Sequence, residues 1–395
     1  MLRNILALAA IFFTTAAYAQ AWPEIEARAR GQTVYWNGWA GDERTNAFIA
    51  WAGEQVEKRH GVKVEQVKLR DTAEAVTRVV AEKSAGRLEG GSVDLIWING
   101  PNFLAMKEQG LLYGPVNPRL PNYRLVDVEG KPSNATDFTV PVDGLAVPWR
   151  LAQVVFVYDS ARITAPPRTV PALLAWAEAN PGRLAHPAVS NFLGATFLKQ
   201  ALYELTPDPA VLQRPATDAN FAAVTAPLWA WYDRLRPALW RQGRQFPATG
   251  AAVRQLMNDG EVDLTLSFSP SEASTSIANG SLPASVRTYV MERGTIGNTS
   301  FVAIPFNAAH KEAAMVLANF LLSPTAQAFA QDPRNTGALS VLDVAQLDAA
   351  GQKLFADLPR GAATLTNAEL GRVLPEPHPS WMTRITTEWE KRYSR

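Results

Sequence analysis

Residues 300–330 read SFVAIPFNAAHKEAAMVLANFLLSPTAQAFA, and this stretch decides the fold. The apolar run Phe301 to Ile304 predicts a strand that ends at Pro305, and Asn307 follows as a helix N-cap. Ala313, Val316, Leu317, Phe320 and Leu321 recur at helical spacing, so the next helix has one apolar face. Ser323 and Pro324 stop that helix and start another, with Pro in the first turn, where no intrahelical N–H is missed. The local reading is strand, helix, helix.

Upstream, the chain alternates in the same way. Thr33 to Trp36 predicts a strand, and a helix follows over 42–59 with Phe48, Ile49, Ala52 and Val56 on one face and Gly61 as its C-terminal cap. Val62 to Leu69 alternates apolar and polar, a second strand. Asp71 and Glu74 form a capping-box pattern for the next helix. Val93 to Ile98 is apolar enough for a strand buried on both faces, and Gly100-Pro101 opens another helix. Three strand–helix units in succession imply a mostly parallel sheet covered on both sides.

Residues 111–136 are rich in Pro, Asn and Gly and read as a long irregular connection. Strands are expected at 145–149, 153–158, 262–268 and 286–292. Helices are expected at 170–179, 191–205, 221–236, 249–259, 270–279, 343–356 and 380–392.

The N-terminal residues have the pattern of an export signal. Arg3 precedes the apolar run Ile5 to Phe13, and Ala17-Tyr18-Ala19 fits small-x-small cleavage with Gln20 as the new N-terminus. The run is shorter than the roughly 20 residues of a spanning helix. The 395-residue chain has no cysteine, which excludes disulfides, thiolate metal sites, a cysteine nucleophile and lipoprotein anchoring. Export without a lipid anchor predicts a soluble periplasmic protein. The length suggests two domains. A net charge of +1, falling to about zero once Arg3 is removed, and the lack of any basic block leave no grip for nucleic acid. After residue 20 no apolar run is long enough to span a membrane.

Three segments in order carry a family resemblance. GLAVPWRLAQVVFVYD (144–159) resembles the first interdomain crossing of the class II bacterial extracellular solute-binding proteins of ABC transporters. GAAVRQLMNDGEVDLTLSFSPSEA (250–273) resembles their helix, strand and ligand-side loop. GNTSFVAIP (297–305), which runs into the opening stretch, resembles their return crossing. The resemblance implies an α/β, two-lobe periplasmic binding protein fold of class II, each lobe a mostly parallel sheet flanked by helices. It places lobe 1 at 21–146 plus 297–335, lobe 2 at 150–293 plus 336–395, and hinge crossings near 144–152 and 293–305, behind a signal peptide at 1–19. It also implies hinge closure over one solute, delivery to the membrane permease of an ATP-driven importer, a monomer, no catalysis and no cofactor.

In an open α/β sheet, ligands sit beyond the carboxyl ends of the strands. That rule alone selects three loops leading into helix N-termini, where free N–H groups favour acceptors. Trp36, Asn37 and Trp39 follow the first strand, Asn99 and Asn102 the third, and Ser269 and Glu272 the strand at 262–268. Trp36 and Trp39 suit a stacking wall for a sugar, an aromatic ring or a cation; packing into the core is the other reading, stronger for Trp36 at the strand end. The amides either bind solute or serve as turn and cap groups. Trp149 and Arg150 lie on the first crossing, where Arg150 either receives an anion or bridges the lobes. Asn191 opens a helix aimed at the cleft. Glu272 either meets a cationic ligand or is a first-turn acid favoured by the helix dipole.

These residues leave the ligand open between an organic cation, thiamine-like or a polyamine, and a carbohydrate. The four histidines match no metal spacing, and the HExxH, GxSxG, GxGxxG and P-loop motifs are absent. Two rival functions stand: a periplasmic hydrolase or transferase using Asp94, Asp137, Asp143 or Glu272 for acid–base work, and a binding module that reports to a membrane sensor.

Overall fold

The computed structural model describes residues 22–393. The expected signal peptide lies outside them. In chain order the elements begin α1 (Trp22–Ala29), β1 (Thr33–Trp39), α2 (Glu43–His60), β2 (Lys63–Leu69), α3 (Ala73–Ser84), β3 (Leu95–Ile98) and α4 (Pro101–Glu108). As the alternation requires, β1 pairs in parallel with both β2 and β3. Asp42 caps α2 by accepting the Thr45 N–H and hydroxyl, and Gly61 closes it in the left-handed conformation, φ 66°. All four residues of β3 are buried, as a strand covered on both faces must be. The Asp71 and Glu74 capping box does not form: Thr72 is the N-cap, Asp71 accepts the Ala73 N–H, and Glu74 pairs with Arg70.

After three short 3-10 turns between 117 and 134 come β4 (Thr136–Asp137) and β5 (Val140–Pro141), a small hairpin, then β6 (Ala146–Gln153) and β7 (Val155–Asp159). Then follow α5 (Val170–Ala179), α6 (Phe192–Leu205), α7 (Asp218–Leu235), α8 (Gly250–Asn258), β8 (Leu264–Ser267), α9 (Glu272–Ala278), β9 (Val286–Tyr289) and β10 (Thr295–Ala303). The chain continues through α10 (Lys311–Leu321), α11 (Pro324–Gln331), α12 (Ala349–Ala356), α13 (Asn367–Leu370), β11 (Val373–Leu374) and α14 (Pro379–Tyr393).

The strand predicted in the opening stretch is the second half of β10, whose nine residues are all buried. It adds antiparallel to β3 through Phe301–Ala303 and to β6 along Gly297–Ala303, giving the order β2-β1-β3-β10-β6. The two paired strands leave the first sheet together. Val154 N–H donates to Ile296 O at 2.8 Å where β6 hands over to β7. The second sheet, β8-β7-β9, is not mostly parallel: β7 runs antiparallel to both neighbours. It leaves the crossing outwards, while β8 and β9 run back towards it, so their carboxyl ends return to the seam between the lobes.

Helix α10 buries the expected apolar residues, but Asn307 does not cap it. The helix starts at Lys311, and the fully buried Asn307 amide donates to Glu82 Oε2 (2.8 Å) and Arg87 O (3.1 Å), tying down a loop more than 200 residues upstream. No single helix among the described residues is long and apolar enough to cross a membrane.

Two large cores result. One joins residues from α1 to β6 with α10 and α11, and the other joins α5 to α7 with α14. Val341, Leu342 and Leu347 pack in the first core, although the sequence placed everything after 335 in the second lobe. Val126 and Asp127, from the irregular connection, hold this segment: Asp127 N–H donates to Val341 O.

Candidate functional site

The carboxyl ends of β1, β3 and β8 converge on the seam crossed by β6 and β10. The tryptophans there divide by strand alternation. Trp36 is 0% exposed and Trp149 1%, and their rings meet edge to face at 5.7 Å within the first core. Phe48 stacks on Trp149 at 5.7 Å. Trp36 lies in the middle of β1 and Trp149 in the middle of β6, and both rings pack in the first core, with each indole Nε1 buried and without a hydrogen-bond partner. Asn37, one residue on, faces the opposite layer, fully buried, donating to Tyr35 O and accepting from Arg78 at 3.5 Å.

Trp39, beyond Gly38, is half-buried at the seam. Its ring packs against Gly41, where a Cβ would fall 2.2 Å from Trp39 Cζ2, and meets Trp97 edge to face at 6.2 Å. Trp97, on β3, is the partner that the sequence did not disclose. The guanidinium of Arg150 covers its ring at 4.3 Å and the Trp149 ring at 4.6 Å. Arg150 Nη1 donates to Thr45 Oγ1 at 3.1 Å, and Nε approaches Ser300 Oγ at 3.5 Å. Burial lowers the Arg150 pKa to about 10, against the opposing charge of Asp42. Burial also pushes the Asp42 carboxyl upward, but the Thr45 hydroxyl, Arg44 and Arg150 outweigh it and hold the group below the usual carboxylate range.

Glu272, the first residue of α9, faces Arg254 of α8 and accepts from it. Its other oxygen accepts the Ser267 hydroxyl. Arg44, from the first turn of α2 in the opposite lobe, places Nη2 3.8 Å from Glu272 Oε1 and Nε 3.8 Å from Asp42. A cationic ligand at Glu272 therefore competes with two guanidinium groups already there. Ser269 lies alongside: its N–H donates to Ser267 Oγ, and its own hydroxyl oxygen is buried without a hydrogen-bond partner.

Beneath this, Asn99 donates to Asp137 Oδ1 (3.0 Å) and Thr299 O (2.6 Å), and so is a structural tie across the crossing. Asp137 also accepts the Gly100 N–H. Gly100 has φ +58°, and Phe138 stands against it at 3.3 Å from an added Cβ, so no other residue fits there without strain. Asn102 is half-buried in the first turn of α4. Asn191 caps α6, accepting the Leu193 N–H at 3.0 Å. Phe138, Phe192 and Phe268 form an aromatic chain between the lobes, with centroids 6.3 Å and 5.5 Å apart. Lys199 of α6 lies over the Phe138 and Phe192 rings and pairs with Glu376 at 2.5 Å; the two side chains are 0% and 1% exposed. Asn298 donates to the same carboxylate.

Sequence reasoning missed Arg44, Arg254, Lys199 and Glu376. Arg44 lies in a loop-to-helix junction that the strand-end rule does select. The others carry no local signal, because their partners are far away in the chain.

The four carboxylates of the hydrolase reading are held by separate partners. Asp94 sits before β3, at the opposite end of the sheet, bound to Tyr35 N–H and His310; Asp143 pairs with Lys107. Asp137 is engaged by Asn99 and Gly100, and Glu272 by Arg254 and Ser267.

Comparison with known proteins agrees with this architecture. Residues 18–358 match the family described as bacterial extracellular solute-binding protein. The tryptophan-rich start and the layout resemble a YnjB-type branch. Protein YnjB of Escherichia coli strain K12 is 42% identical over 382 residues, covering 96% of each chain. Among solved structures, the periplasmic binding protein AfuA of Actinobacillus pleuropneumoniae, with fructose-6-phosphate bound, aligns at TM-score 0.64 and 14% identity over 92% of this chain and 99% of its own. PotD, the spermidine/putrescine ABC transporter substrate-binding protein of Streptococcus pneumoniae, aligns at TM-score 0.63 and 14% identity over 92% and 98%. These two likenesses are likenesses of fold.

Proposed function

The chain belongs to the bacterial extracellular solute-binding protein family, and from that premise we propose that it captures a small organic solute between its lobes and delivers it to the permease of an ATP-driven importer. The observation that carries this reading is that one polar seam draws side chains from both lobes and from both crossings. Arg44 comes from α2, Glu272 and Arg254 from the far lobe, and Arg150 and Ser300 from β6 and β10 between them. Two adjacent, hydrogen-bonded strands, β6 and β10, carry the chain across beneath the seam, and a third passage follows Phe355 on the way to the C-terminal helices, so rotation about these connections opens and closes the seam without breaking either core.

The lobes we assign are 21–146 with 297–335, and 150–293 with the C-terminal helices. The segment through Leu347 and Phe355 joins the first lobe because its side chains pack there. The ligand-facing set is Trp39, Asn102, Arg150, Asn191, Ser269 and Glu272, with Arg44, Trp97 and Arg254 added. The protein acts in the periplasm as a monomer, its signal peptide removed after Ala19.

Small-angle scattering tests the reading. Addition of the cognate solute contracts the radius of gyration, and Trp39→Ala raises the concentration needed. A solute consumed on incubation, rather than merely bound, overturns it in favour of an enzyme.

A further inference from the structure

The seam residues form one continuous network. Arg150 donates to Thr45, Thr45 donates to Asp42 at 2.6 Å, Asp42 lies 3.8 Å from Arg44, Arg44 lies 3.8 Å from Glu272, and Glu272 accepts from Arg254. Three guanidinium groups thus share two carboxylates, which leaves one positive charge in excess where the lobes meet. The excess is not diffuse. Arg150 makes no ion pair among the described residues; its face is taken by Trp97 and Trp149, and its remaining edge points along the crossing beside Ser300. Arg44 Nη1 is buried and donates no hydrogen bond. A buried, unused donor on a charged group costs free energy unless a partner accepts it.

Resting on the reading of this seam as the solute site, we propose that the solute is an organic anion whose carboxylate or phosphate group is received by Arg150 and Arg44, with Arg254 of the opposite lobe closing on it. Guanidinium forks match both oxyanions in geometry and charge. The anion cancels the excess charge and supplies acceptors to the unused donors. Because Arg44 and Arg254 belong to different lobes, an anion shared between them is bound best when the seam is closed, so binding and closure reinforce each other. Trp39, packed on Gly41 and half-buried, offers its remaining ring surface to the solute's carbon frame. The assignment runs against a polyamine or thiamine-like cation, for which Glu272 was the expected partner. Both Glu272 oxygens are in use, one with Arg254 and the other with Ser267.

The test is thermal shift and calorimetry on the purified protein with matched compounds: succinate, glutamate, glucose 6-phosphate and glycerol 3-phosphate beside glucose, glycerol and putrescine. At least one anion raises the midpoint in proportion to log concentration, and its neutral or cationic counterpart does not. Response to the phosphate esters alone assigns phosphate, and response to the dicarboxylates assigns carboxylate. Arg150→Gln and Arg44→Gln each weaken anion binding tenfold or more, while circular dichroism shows both folded. Arg44 is at the rim, so its variant serves if Arg150→Gln fails to fold. Tighter binding of glucose or putrescine than of any anion overturns the assignment, as does anion affinity within twofold of wild type in Arg44→Gln. Scattering separates the two levels. If putrescine or glucose contracts the molecule, the importer reading stands and the anion falls; if no compound of any charge does so, both fall.

Discussion

Lys199→Met removes the charge from the most deeply buried ion pair among the described residues while keeping much of the side-chain volume. In the native protein Lys199 Nζ lies 2.5 Å from Glu376 Oε2, with both side chains essentially without solvent contact. The pair is a compromise. Burial pulls the Lys199 pKa down and pushes that of Glu376 up, and each opposes the other's shift by its charge. Without Lys199, Glu376 keeps only Asn298 at 3.1 Å and still faces Asp137. The cation over the Phe138 and Phe192 rings is lost as well. Breaking a buried pair from one side costs about 3–5 kcal/mol, a large share of the ~5–15 kcal/mol that stabilises a typical protein. Urea unfolding followed by tryptophan fluorescence measures it.

The pH dependence has a fixed sign. The unpartnered Glu376 is raised still further in the folded state, so the folded state holds a proton that the unfolded state releases. That contribution is present below the unfolded pKa and is lost as pH rises through the folded one, so the deficit is greater at pH 8 than at pH 5. Lys199→Met with Glu376→Leu replaces both charges by apolar groups and recovers most of the loss. A single-variant loss under about 1 kcal/mol, or a double variant no better than the sum of the two singles, refutes the reasoning.

Two further outcomes follow from the same seam. Burial raises the Asp137 pKa to about 7 against the Asn99 and Gly100 donors, Glu376 adds to the rise and Lys199 opposes it. Its stabilising protonation is therefore lost as pH rises from the ordinary carboxylate value of 3.8 to about 7, and Asp137→Asn gives a flatter midpoint-against-pH curve than wild type over that range; an unchanged slope removes Asp137 as its source. Trp36→Ala empties a fully buried site and costs about 3–5 kcal/mol, whereas Trp39→Ala leaves the urea midpoint near wild type and weakens solute binding; equal destabilisation by the two puts Trp39 in the core as well.

Patterns of short range were legible in the sequence. The strand–helix alternation to residue 108, the helix boundaries at Gly61 and Ser323, and the 170–179 helix are set by neighbours a few residues apart. Asn307 shows where such reasoning ends. Its composition suits a cap, but a buried amide goes to whichever acceptors reach it, here Glu82 and Arg87. The second sheet reads as parallel only until the crossing is seen to fix the direction of β7.

The site divides in the same way. The strand-end rule is a property of topology, so the sequence by itself placed the candidate loops at Trp39, Asn99 to Asn102 and Ser269 to Glu272 at the carboxyl ends of strands. Which side chains face the seam was decided by packing. Side chains along a strand alternate between its two faces, which sent Trp36 of β1 and Trp149 of β6 inward and left Trp39, the last residue of β1, at the rim. Charge was decided later still. Glu272 reads as an acid awaiting a cation until Arg254 and Arg44 stand beside it, one from its own lobe and one from across the seam. Electrostatic character depends on distances between residues far apart in the chain, and only the tertiary structure sets those.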